Sequence, residues 1–81
     1  MGLNLRDDLI RVSKKHFEAC IEKHRINVEV LLENGVGVAE HPNIMETIEK
    51  EIHIMSEYND KLEILEKFFE SAPRDKKVLN G

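Results

Sequence analysis

Residues 43–72, NIMETIEKEIHIMSEYNDKLEILEKFFESA, decide the fold. Apolar side chains recur there at Ile44, Ile48, Ile52, Met55, Tyr58, Leu62, Leu65 and Phe69, at spacings of four, four, three, three, four, three and four. That pattern is one stripe along an α-helix. Glu46–Lys50, Glu57–Lys61 and Glu63–Lys67 fall at i,i+4 with the acid N-terminal, the orientation that supports a helix. Pro42 suits the first turn, where its missing N–H costs nothing. Alternatively Asn43 is the cap, with Glu46 three residues on as its reciprocal partner. Ser71-Ala72-Pro73 ends the pattern, so helix two spans about residues 42–71. Residues 72–81 have no periodicity and read as a flexible tail.

Working outward, the stretch from Leu3 to Asn34 also lacks glycine and proline. Ile10, Phe17, Ile21, His24, Val28 and Leu31 recur at spacings of seven, four, three, four and three. Leu9, Val12, Ala19, Ile26 and Val30 widen this stripe on its flanks. Lys14–Glu18 is an i,i+4 pair. Asn34-Gly35 suits a left-handed C-cap that a β-branched residue would resist. Helix one therefore spans about residues 3–34 and the loop about 35–41. Each helix is roughly 43 Å long. A loop of this length lets them return antiparallel. Residues whose numbers sum to about 76 then face each other by simple reversal of a 1.5 Å rise. Leu31 is expected to meet Met45, His24 to meet Ile52 or His53, Phe17 to meet Asn59, and Ile10 to meet Glu66 or its neighbours.

Two helices cannot bury everything apolar on them. Ile54, Ile64 and Phe68 lie off the main stripe of helix two, and Ile26 and Val30 off that of helix one. These five are the candidate interface residues. A second copy would cover them, giving a homodimer that is a four-helix bundle. A heterologous protein partner using the same surface is the rival. The predicted fold is thus all-α: a single-domain antiparallel two-helix hairpin that dimerises.

Composition narrows the function classes. The chain has 81 residues, of which 41% are hydrophobic, 35% charged and only 5% aromatic. A chain this short buries roughly 60–65% of its unfolded surface, which leaves little room for a deep enzyme pocket. Net charge is −4. Residues 5–33 carry six basic and six acidic side chains, whereas residues 42–71 carry three basic and eight acidic ones. Without a basic face, nucleic-acid binding is disfavoured. The one cysteine, Cys20, cannot form an internal disulfide. The first eight residues become charged at Arg6 and lack the apolar core of a signal peptide. Arg6 also stands where a myristoylation signal needs Ser or Thr. No stretch approaches the ~18 apolar residues of a membrane span, so a cytoplasmic protein is expected.

Four histidines raise the question of a metal. His24 and His53 could meet across the hairpin with a carboxylate and suit zinc or iron. Di-iron bundles need Glu-x-x-His pairs, and the residues three before the histidines are Ser13, Ile21, Val38 and Lys50. The simpler expectation is that His24 sits satisfied at the seam and His53 pairs with Glu49 or Glu57, with no metal or other cofactor. Cys20 lies mid-helix between Glu18 and Glu22, away from the cations or helix N-terminus that activate a thiol, and is expected to pack. The acids of helix two read as a solvated face, not a general acid/base pair, because nothing apolar surrounds them. No catalytic residue is expected. The loop is unusual in alternating Val36, Gly37 and Val38 before Glu40 and His41. It has no Gly-Lys-Ser/Thr of a phosphate loop. It is expected to cap the bundle end, or to present Val36, Gly37, Val38, Glu40 and His41 as a recognition tip.

At this loop the chain resembles a known group. Lys23-His24-Arg25-Ile26-Asn27-Val28-Glu29-Val30-Leu31-Leu32-Glu33-Asn34, followed by Val36-Gly37-Val38-Ala39-Glu40-His41-Pro42-Asn43-Ile44-Met45-Glu46, looks like small proteins of marine tailed phages, especially those infecting cyanobacteria. In that group a Val-Gly-(Ile/Val)-Gly/Ala-Glu-His-Pro-Asp-Ile pattern joins two charged helices. The resemblance covers roughly residues 20–69, with Ala39 and Asn43 standing where Gly and Asp are more usual. It implies an auxiliary phage protein made in the host cytoplasm, and no catalytic residue at any position. The function expected is a non-catalytic interaction or assembly factor acting on a host or phage protein. A metal-binding bundle using His24 and His53, or a minor virion component, are the alternatives.

Overall fold

A computed structural model describes residues 4–35 and 43–70. Helix α1 spans Leu5–Gly35 and helix α2 spans Asn43–Leu65. A single π-helical turn, Glu66–Glu70, continues α2. The two helices form an antiparallel hairpin, and no strand occurs among the described residues. The loop-tip candidates Val36, Gly37, Val38, Glu40 and His41, and the tail, lie outside the described residues.

Asn4 starts α1. Its Oδ1 accepts the backbone N–H of Asp7 at 3.1 Å, and its side-chain amide donates to Asp7 Oδ2 at 3.0 Å. The backbone N–H of Asp8 donates to the Asn4 carbonyl at 3.1 Å, closing the first turn. One helix-start donor is thereby satisfied, and two acids, Asp7 and Asp8, sit at the positive end of the dipole. Asn4 followed by Asp7 is a cap signal of the Asn/Asp kind, outside the apolar pattern that placed the helix.

The seam follows a seven-residue repeat. In α1 the half-buried positions include Ile10, Phe17, His24 and Leu31, with Ile21 and Val28 between them. In α2 they include Ile44, Ile48, Glu51, Met55, Tyr58, Leu62 and Leu65, alternating by four and three. A seam shared by two helices repeats every 3.5 residues, the coiled-coil period. Phe17 faces Tyr58 with ring centroids 6.1 Å apart. His24 bonds Glu51, and Arg6 donates to the Phe69 carbonyl at 3.0 Å.

These pairings move the expected register by one residue. Phe17 meets Tyr58, not Asn59, and His24 meets Glu51, not Ile52 or His53. Ile52, assigned to the apolar stripe by its side chain, is half-exposed, and Met45 is 72% exposed. The seam selects a position by its 3.5-residue period, and Ile52 lies about 100° round the helix from Glu51. Glu51 is tolerated at the seam because α1 supplies polar partners for it. Among the interface candidates, Ile26, Val30, Ile64 and Phe68 are at least half-exposed, whereas Ile54 is half-buried.

The end of α2 also departs from the expected α-helix to residue 71. The π turn lets the chain meet α1 at two points: Arg6 caps the Phe69 carbonyl, and Lys14 reaches Glu70 at 3.1 Å and Glu66 at 3.5 Å. The orphan carbonyls of a helix end need donors, and Arg6 is one. Lys14 thus joins the two helices in preference to the expected local pair with Glu18. Hydrogen bonding to Glu70 raises the Lys14 pKa above the ordinary lysine value.

Replacing the cap tests this account of the start of α1. Asn4→Ala should cost about 1 kcal/mol and lower the melting temperature by roughly 4–8 °C. Thermal melts followed by circular dichroism would measure it. An unchanged melting temperature would show that the Asn4 cap does not hold the first turn.

Candidate functional site

Three features of the hairpin bring polar or apolar groups together. The first is a polar node at the centre of the seam. His24 Nδ1–H donates to Glu51 Oε1 at 2.5 Å, and the Asn27 amide donates to the same oxygen at 3.0 Å. The contact places the imidazole proton on Nδ1. His24 and Glu51 side chains keep only 14% and 19% of their exposure. Hydrogen bonding from His24, then from Asn27, holds the Glu51 carboxyl below the usual carboxylate range. One carboxylate oxygen with two donors is a satisfied seam anion, and it fixes which residues of the two helices face each other.

The second feature is an aromatic and thiol cluster two turns away. The His16 ring stands edge-on to Tyr58 at 6.0 Å and lies 5.8 Å from Phe17. The Cys20 sulfur is 3.8 Å from His16 Nε2. Lys61 places its ammonium 4.7 Å over the Tyr58 ring. Hydrogen bonding with Cys20 pushes the Tyr58 phenol up. A thiol beside an imidazole has the elements of a nucleophile pair. Here both sit mid-helix, where the backbone N–H groups are bound within the helix and cannot stabilise an oxyanion. The cluster borders the seam, where Phe17 and Tyr58 meet.

The third feature is the exposed apolar face. Leu5, Leu9, Val12, Ala19, Ile26 and Val30 lie along one side of α1, spaced by four and three where consecutive and interrupted only by His16 and Lys23. The large side chains among them are half-exposed or more, with Leu5 at 62% and Leu9 at 60%. His16 belongs to this row, so its contact with Tyr58, and the position of Lys61 over that ring, show which side of α2 borders it. Ile64 and Phe68 follow Lys61 at i+3 and i+7, and Phe68 is 61% exposed. An open groove lined by Leu5, Leu9, Leu65 and Phe69 joins the two helices at one end of this face. The opposite edge is charged: Lys14 with Glu66 and Glu70, and Arg25 with Glu22 at 2.8 Å. Mutual hydrogen bonding lowers Glu22 and raises Arg25 from their ordinary values.

The two histidines considered as metal ligands go to different carboxylates. His24 is at the seam with Glu51, and His53 is 71% exposed with Glu57 at 3.3 Å. Among the described residues no three His, Cys, Asp or Glu side chains are arranged to hold a metal ion. His53 pairs with Glu57, as its i,i+4 spacing predicts. The polar node itself escaped sequence reading, because Glu51 carries no apolar signal and its partners are 24 and 27 residues away. No helix among the described residues is long and apolar enough to cross a membrane.

The node predicts an acid dependence. A carboxyl depressed in the folded state adds stability that is full above its unfolded pKa of about 4.3. That stability is lost as pH falls through the lower folded value. Glu51→Gln should therefore lower the melting temperature at pH 7, and the gap from the unaltered chain should close below about pH 4. Melting temperatures of both chains between pH 2 and 7 would measure it. A gap that stays constant with pH would mean that the Glu51 charge plays no part.

Comparison with known proteins returns no match: no family model, no curated protein and no solved structure aligns significantly with the chain.

Proposed function

We propose that this chain is a small non-catalytic protein–protein interaction or assembly factor, and that the apolar face of the hairpin is its working surface. The observation that carries this reading is the absence of any buried residue among those described, together with a row of exposed apolar side chains interrupted only by His16 and Lys23. Large exposed apolar patches on small proteins mark docking surfaces. The charged edge opposite has the composition of a solvated face. An amphipathic helix face offers anchors at i, i+3, i+4 and i+7, which is the geometry of helix–helix recognition. The resemblance noted at the loop adds a setting, an auxiliary phage protein acting on a host or phage protein.

Site-specific photocrosslinking tests the reading without assuming a partner. A photoreactive side chain at Ile26 on the apolar face should give protein adducts in cell lysate. The same group at Lys15, on the charged side, should give few. Equal yields from both positions, or none from Ile26, would overturn the assignment of the face.

A further inference from the structure

We infer that the occupant of the apolar face is a second copy of this chain, packed so that α1 lies antiparallel on α1 of its partner. This inference rests on the docking role of the face and names its partner.

Area is the first argument. The exposed apolar side chains of this face present on the order of 600 Å² per protomer by their fractional exposures, against the ~800 Å² that each partner of a standard interface contributes. The thinnest dimension of the chain is 13 Å, one layer of helices. A second identical layer supplies the two-layer architecture that lets side chains be enclosed.

Pattern is the second argument. Leu5, Leu9, Val12, His16, Ala19, Lys23, Ile26 and Val30 alternate by four and three. That spacing reads the same in both directions. A two-fold axis crossing α1 between His16 and Ala19 therefore matches the row to itself, with Leu5 on Val30, Leu9 on Ile26, Val12 on Lys23 and His16 on the small Ala19. The stem of Lys23 covers Val12 of the partner while its ammonium extends toward the partner's Asp8.

Charge is the third argument, and it selects the direction. Residues 18–34 and 43–57 form the loop half of the hairpin and carry a net −5. Residues 4–17 and 58–70 form the other half and sum to zero. An axis running along the helices would place α1 on α2 of the partner and stack the two acidic halves. The crossing axis sets each acidic half against a neutral one.

Sedimentation equilibrium of the unaltered chain, together with disulfide trapping in a Cys20→Ser background, tests the inference. The expected mass is twice 9.4 kDa. Mixed and reoxidised Leu9→Cys and Ile26→Cys chains should give the heterodisulfide, and either chain alone should give none, because the bond needs Cβ atoms about 4 Å apart. A mass of 9.4 kDa at all concentrations would overturn the self-pairing. Adducts from Ile26 to other proteins in lysate would then leave the docking role standing. A dimer trapped through Leu9→Cys with Phe68→Cys, and not with Ile26→Cys, would overturn the antiparallel arrangement alone.

Discussion

A layer one helix thick cannot enclose a side chain. The hairpin is a single layer of helices, 13 Å in its thinnest dimension. Every seam residue touches a neighbour on one side and water on another. Phe17 and Tyr58 meet across the seam with ring centroids 6.1 Å apart, and both remain only half-buried. Stability in such a layer comes from a long line of partial burials, helix caps and cross-helix ion pairs, not from a core. The remaining apolar surface cannot be covered from within the layer.

Within the layer, one polar node sets the alignment. Ile10, Phe17, Ile21, Val28 and Leu31 could slide against α2 with modest loss, since one aliphatic contact resembles another. Glu51 cannot slide. A carboxylate at the seam needs donors, and His24 and Asn27 supply both to one oxygen. A shift by one residue would put Ile52 at the seam and leave His24 and Asn27 facing an aliphatic side chain. Polar seam residues that specify register at some cost in stability are known from coiled coils, and the node fits that role. Lys14, held between Glu66 and Glu70, and Arg6, on the Phe69 carbonyl, fasten the far end in the same register.

The helices are divided into three faces. The seam joins the hairpin. The charged edge carries Arg25, Glu22, Lys14 and Glu66. The apolar face of Leu5, Leu9, Ile26, Val30, Ile64 and Phe68 is left uncovered by the hairpin and is the surface proposed for docking. His16 and Cys20 stand where the seam and this face meet, so the contact of His16 with Tyr58 ties hairpin packing to the shape of that face.

The sequence by itself determined the two helices and their antiparallel return. Those are local matters: apolar spacing, a glycine-rich break and a short connection fix them. It also marked Ile26, Val30, Ile54, Ile64 and Phe68 as surplus to a two-helix seam, because a stripe can be counted without knowing what it packs against; of these, Ile54 is half-buried. Only the tertiary structure decided that Glu51, not Ile52, faces α1. Hydrophobicity favours the isoleucine, whereas a shared seam repeats every 3.5 residues and α1 provides the donors. The same non-local terms turned Lys14 from Glu18 toward Glu66 and Glu70, and ended α2 in a π turn where Arg6 could reach the Phe69 carbonyl. A residue's neighbours along its own helix are readable from spacing. Its neighbours on the other helix depend on a register that the summed contacts of both helices must agree on.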